Sequence, residues 1–274
     1  MAYTQAYPLD RTVQDAFDLK VKLLEARAKG GQGAEEATYY FNARTPWIKM
    51  TSCVNLVGQS LRDKFKVGTA KELAQKYVLG TTKQGDAFAG HNYDRAYGVE
   101  DNSYGIRPQP GIQNMDIVSY NKYGSLRKAT INFQVWTKED LDACEILYMR
   151  PGMSVLLEWG WSLWVQGKGT DEAPFRVNDM GAGIDVLTPK VRTLHQALNA
   201  IEQKQKEYNY GYDGILGFVK NFSLKLRPDG GYDCTTEIMS PGELVESLNV
   251  ARPISDLDAS LYTDFYKNLA AEKF

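Results

Sequence analysis

The stretch LRKATINFQVW, residues 126–136, constrains the fold more than any other. Ala129, Ile131, Phe133 and Val135 alternate with Lys128, Thr130, Asn132 and Gln134. Successive side chains of a strand point to opposite faces, so this period of two sends one set into a core and the other toward water. A sheet buried on one side and wet on the other is characteristic of antiparallel architecture. A helix is predicted next, over TKEDLDACEILYM. Thr137, followed three residues on by Asp140, has the spacing of a capping box, and Leu141, Cys144 and Tyr148 share a face. Pro151 forbids continuation. The chain then returns as GMSVLLEWGWSLW, with Val155, Leu157 and Trp159 on one side and Leu156 and Glu158 on the other. Gly160 is expected to break or bulge this strand.

Elsewhere the pattern is weaker. Residues 11–29 place Val13, Phe17, Val21 and Leu24 at helical spacing, and Gly30 and Gly31 stop that helix. GGQGAEE reads as a loop, ATYYFNARTPWIKMTSCVNLVG as an aromatic strand region, and TAKELAQKYVLG as a short helix capped by Thr69 and ended by Gly80. Residues 81–111 read as a long surface excursion and 165–187 as a polar loop. Thr188 and Pro189 open a helix whose apolar face is Val191, Leu194, Leu198 and Ile201. A long hairpin follows, with Leu216, Phe218, Phe222, Leu224 and Leu226 expected on one face and RPDGG as its turn. The expected class is mainly β (α+β): an antiparallel β-sandwich or barrel with a connecting helix and helical insertions.

Composition excludes more than it selects. A net charge of −2 over 274 residues gives no global basic field for wrapping nucleic acid. Cys53, Cys144 and Cys234 are scattered and make no ligand-spaced pair, which reads as reduced, buried thiols. His91 and His195 have no partner motif, so no metal site and no cofactor are expected. No apolar run reaches the roughly 20 residues that span a bilayer, so no membrane insertion is expected, and the N-terminus has no secretory pattern. Asp229 reads as turn chemistry, since no further acids follow at alternate positions as a Ca²⁺ loop requires.

Nucleophile-elbow, P-loop, dinucleotide and HExxH motifs are absent from the sequence. One catalytic arrangement is conceivable: Glu158 paired with Asp140 or Asp142, with Trp159 and Trp161 as a sugar platform, as in a glycosidase. The plainer reading has Glu158 facing solvent or bonded to an arginine while the tryptophans pack. Trp159, Trp161 and Trp164 cannot all enter one core from one strand. A covering helix of the same chain and a subunit contact are both open to them.

Taken together, the blocks PGI…YGSLRKATINFQVWTKEDLDACEILYMRPGMSVLLEWGWS and GILGFVKNFSLKLRPDGGYDCTTEIMSPGELVESL resemble the tube-domain and baseplate-hub structural proteins of contractile bacteriophage tails, with ARTPWIKM fitting more weakly. The resemblance covers about two-fifths of the chain; a hub usually carries two tube-like domains, of which one is placed here. It implies a non-enzymatic virion component in the tail baseplate, assembled in the host cytoplasm. Its partners would be copies of itself in a trimeric or hexameric ring, tail-tube, spike and baseplate wedge proteins, and DNA only in transit through the lumen. The organisation it suggests is an N-terminal helical arm (1–39), a tube-like β domain in two parts (40–164 and 211–248), an inserted loop and helix (165–210) and an extended tail (249–274) that reaches along a neighbour. Under it, Trp159, Trp161, Trp164, Tyr104 and Arg107 are candidate interface residues. Lys128, Thr130, Asn132 and Gln134 are candidate lumen-facing residues. The alternatives are a carbohydrate-active or peptidoglycan-processing enzyme and a monomeric binding module.

Overall fold

The computed structural model describes residues 11–30, 32–54, 58–69, 72–74, 77–80, 110–120, 126–167, 175–180, 184 and 193–242. Its elements are α1 (Arg11–Lys29), α2 (Gln32–Ala43), β1 (Pro46–Ser52), α3 (Gln59–Lys64), β2 (Leu79–Gly80), β3 (Gly111–Ser119), β4 (Arg127–Val135), α4 (Lys138–Cys144), a π-helical turn (Glu145–Met149), β5 (Ser154–Trp161), β6 (Leu163–Gly167), β7 (Phe175–Asp179), α5 (Leu194–Glu207), β8 (Tyr212–Leu226) and β9 (Tyr232–Met239). The fold is mainly antiparallel β with helices, as the alternation predicts. Seven strands form one curled half-barrel sheet in the order β2-β1-β5-β8-β9-β4-β3, and β6 and β7 pair as a separate ribbon.

The two faces of this sheet bury different partners. One face carries Ala129, Ile131, Phe133 and Val135 of β4, Val155 and Leu157 of β5, and Ile238 of β9, closed by Leu141, Cys144, Leu147 and Tyr148. Thr137 Oγ1 accepts from Asp140 N at 3.1 Å, so the cap reads correctly from sequence. Tyr148 is fully enclosed and its hydroxyl donates to Tyr77 O at 2.6 Å. Burial pushes the Tyr148 phenol well above its ordinary value. On the opposite face, Leu156, Tyr212 and Leu216 meet Ala197 and Ile201 of α5 together with Met180 and Ile184. A third cluster, Leu23, Ala37, Tyr40, Leu163, Val165 and Phe175, joins α1 and α2 to the β6–β7 ribbon.

Several sequence expectations are corrected. Residues 32–43, expected as a loop and then a strand, are helix α2, because Ala37 and Tyr40 fall on one helical face against the ribbon. The buried stripe of α1 is Ala16, Leu19, Leu23 and Ala26 rather than Val13, Phe17, Val21 and Leu24; Phe17, Val21 and Leu24 are exposed. Thr69 does cap a turn, accepting from Glu72 N at 3.2 Å, but Gly80 pairs with Lys49 as an edge strand instead of ending a helix. The expected loop 165–187 contains the end of β6 and all of β7, and Gly111 opens β3 rather than closing an excursion. Helix α5 starts from Thr193, whose capping box with Gln196 replaces the expected Thr188–Pro189 start, and its Leu194 and Leu198 are exposed. Thr188, Pro189 and Val191 lie outside the described residues.

Strand β8 corrects the expected single apolar face. The β8–β9 register shifts between Val219 and Asn221. A bulge inverts the alternation beyond it. Leu216 therefore faces α5, beside Leu156, while Phe222, Leu224 and Leu226 stand beside Thr236, Cys234 and Tyr232 on the other side of the sheet. The hairpin turn is as predicted, with Gly230 at φ +82°.

Candidate functional site

Past the bulge, β8 outruns its neighbour. Strand β5 pairs with β8 only from Tyr212 to Phe218. From Asn221 to Leu226, β8 bonds to β9 on one edge, and among the described residues no strand pairs with the other. Phe222, Leu224 and Leu226 are exposed on this open edge. An unpaired strand edge with an apolar stripe is a template for another strand. At the far side of the sheet, among the described residues, β3 pairs with β4 alone.

Between these two edges runs a mainly polar face, interrupted at one end by Val118 and Met239 beside Lys128. Lys128, Thr130, Asn132 and Gln134 all sit on it, half-buried, opposite the core residues of β4. The two central ones have polar cross-strand partners, Thr130 between Asp116 and Glu237 and Asn132 between Asn114 and Thr235, whereas Lys128 stands between Val118 and Met239 and Gln134 between Gly111 and Asp233. Lys128 Nζ is 3.0 Å from Glu237 Oε2. Thr235 Oγ1 donates to Asn132 Oδ1 at 2.6 Å, Asn132 Nδ2 donates to Asn114 Oδ1 at 2.6 Å, and Gln134 Nε2 donates to Asp233 Oδ1 at 3.1 Å. Ser223 and Lys225 extend the face onto the free part of β8, beside Thr235 and Asp233. The face is thus hydrogen-bonded to itself and carries both signs of charge close together.

The tryptophans divide. Trp159 is half-buried against the main core, and the strand runs through Gly160 unbroken, paired to Trp47 and Tyr212, with no bulge. Trp164 packs edge-on to Tyr208, ring centroids 5.5 Å apart, within the α5 cluster. Trp161 remains 38% exposed, under the Arg44 guanidinium at 4.4 Å. Strand β5 is flanked by β1 and β8, so the tryptophan strand is interior to the sheet and the open edge belongs to β8. Tyr104 and Arg107 lie outside the described residues.

Glu158 neither faces solvent nor meets an arginine. It is wholly buried on the α5 side, with Oε2 2.9 Å from Lys49 Nζ. Its Oε1 accepts from Tyr212 Oη at 2.6 Å and from Ile184 N at 2.5 Å, while Lys49 Nζ donates to Ile184 O at 3.0 Å. Burial, and then the neighbouring carboxylate, push the Tyr212 phenol well up from its ordinary value. Sequence reasoning missed Lys49, because only strand register reveals that it stands opposite Glu158. Asp140 and Asp142 lie on the helix covering the opposite face: Asp140 bonds Thr137 and Tyr77, and Asp142 pairs with Lys64 and Lys138. The carboxylate pair required for the glycosidase alternative is therefore not assembled.

All three cysteines are free, among the described residues no group of His, Cys, Asp and Glu is placed to hold a metal ion, and no described helix is long and apolar enough to cross a membrane. Comparison with family models, with curated proteins and with solved structures finds no match to this chain.

Proposed function

We propose that the chain is a structural subunit of a ring, of the kind found where a contractile phage tail tube meets its baseplate hub. The observation that supports this most is the four-stranded block β8-β9-β4-β3, which has a mainly polar face, an apolar opposite face and, among the described residues, an unpaired edge on β8 beyond Asn221. In this reading β3 of one copy adds to the β8 edge of the next. The contact is head-to-tail, and such contacts generate closed rings when the rotation permits. Phe222, Leu224 and Leu226 become covered, and the polar faces line a channel.

The polar face suits passage of a polyanion. Cations there are matched by nearby acids, Lys128 with Glu237 and Lys225 beside Asp233. DNA binding strengthens with each phosphate neutralised by an unmatched cation, so a balanced wall holds DNA weakly. A trimeric or hexameric ring joining tube to spike, in a virion baseplate, is the assembly this predicts. The test is mass by light scattering with negative-stain imaging of the purified chain, alone and with tail proteins. Annular particles support the reading. A monomer that persists at every concentration and with every tail partner counts against it.

A further inference from the structure

A second surface lies away from that block, on helix α1. The helix packs Leu19, Leu23 and Ala26 into the cluster shared with α2 and the β6–β7 ribbon. On its other side Phe17, Val21 and Leu24 are exposed, Phe17 the most at 57%. Among the described residues no hydrophobic cluster takes them up. At 3.6 residues per turn the three fall within about 60° of one another, so they form a line along the helix. Single exposed apolar side chains are ordinary on a protein surface, but an aligned set marks a contact.

The charges beside this line indicate its occupant. In a heptad frame with Leu24 at d, Phe17 is the preceding d, Val21 and Ala28 are a positions, and Gln14 is the first a. The g positions are then Lys20 and Arg27, and the e positions Asp18 and Glu25. One flank is basic and the other acidic. Two such helices bring a basic flank to an acidic one only when they run parallel; antiparallel pairing sets basic against basic. In the parallel arrangement a g residue reaches the e residue five positions on, so Lys20 meets Glu25 of the second copy, twice over. Lys20 already leans toward the line, its Nζ 5.9 Å from the Phe17 ring centroid. Glu25 lies 3.9 Å from Lys29 with both side chains exposed, a contact too long and too wet to hold it back. A β-branched residue at a with leucine at d favours two strands. We infer that α1 pairs in parallel with α1 of a second copy, burying Phe17, Val21 and Leu24 in a coiled coil about 28 Å long. This contact is separate from the β8 edge and does not rest on the ring reading.

The test uses the full chain carrying L224K, a change on the β8 edge, so that association through that edge does not mask the pair. Sedimentation over a range of concentrations should show a monomer–dimer equilibrium. Val21 is exposed in the single copy, so V21E should spare the fold and weaken the dimer about tenfold or more. K20E and E25K should each weaken it about threefold, and the two changes together should restore it. L24C should link two copies on oxidation, because equivalent d residues face each other only in a parallel pair. A chain that stays monomeric at every concentration overturns the inference, as does a dimer indifferent to V21E. A dimer that K20E alone strengthens has its basic flanks together, and that too overturns it.

Discussion

Lys49 Nζ stands 2.9 Å from Glu158 Oε2 across the β1–β5 pair, with the side chains 6% and 0% exposed. Two charges withdrawn from water this completely stabilise the fold only if every remaining lone pair and proton is met. Tyr212 and Ile184 N meet Glu158 Oε1, and Ile184 O accepts from Lys49, while Glu158 Oε2 has its ion contact with Lys49 and no hydrogen-bond partner among the described residues. Glu158→Gln leaves an uncompensated buried cation and should cost about 3–5 kcal/mol in chemical denaturation. Replacing both residues by apolar ones of similar volume should cost less than either single change. A double change as costly as the two singles summed would contradict the coupling.

Gly160 sits where a side chain has no room. An added Cβ would lie 2.7 Å from Gly211 O and 3.2 Å from Tyr212 Cα. Both are backbone atoms, at and just before the start of the neighbouring strand, and cannot rotate away. Gly160→Ala should lower the melting temperature by several degrees, on the order of 2 kcal/mol.

The open edge of β8 offers a change that spares the fold. Phe222 and Leu224 are 42% and 47% exposed, so F222D or L224K should leave far-UV circular dichroism and the melt within about 0.5 kcal/mol of the parent. Ring formation, read by light scattering, should be lost. Rings that survive both changes would place the contact elsewhere.

Asp142 accepts from Lys138 and Lys64, and these two hydrogen bonds hold its carboxyl below the ordinary aspartate value. The folded state thus binds this proton less readily than the unfolded chain does. The contribution is present above the unfolded value, near 3.9, and is lost as pH falls through the folded one. In D142N, stability should decline less steeply below about pH 4 than in the parent, and the two curves should converge at the acid end. Parallel curves would remove Asp142 from the acid response.

The thiols should be inert in the native protein. Burial pushes Cys53 up to about 11 and Cys234 up to about 12, and it raises the fully enclosed Cys144 well above its ordinary value. Thiolate is the reactive form, so labelling near pH 8 should be slow until denaturant is added. Rapid modification of Cys53 alone would show that its side of the α5 layer opens.

Local rules read the centre of the molecule well. Alternation in β4, the Thr137 cap and the Asp229–Gly230 turn each depend on residues close in sequence, and each is observed. The failures share a cause. On α1 the sequence offers two apolar stripes, and only the neighbouring α2 and the β6–β7 ribbon decide which is buried. On β8 a single extra residue at Lys220 reverses the phase, so a run that looks like one face becomes two. Lys49 reads as an ordinary surface cation until register sets it against Glu158. The apolar character of β8 was legible, but its open edge depends on where β5 stops.

One consequence follows from the uneven support of β8. Its first half is clamped between β5 and β9, with Tyr212 tied to Glu158, while among the described residues its second half pairs with β9 alone. A pull on the hairpin tip at Arg227–Gly231 therefore loads the antiparallel ladder in shear, all bonds at once. Were a neighbour to dock on that half, traction along the strand axis would reach the Tyr212–Glu158 contact in the interior of the molecule.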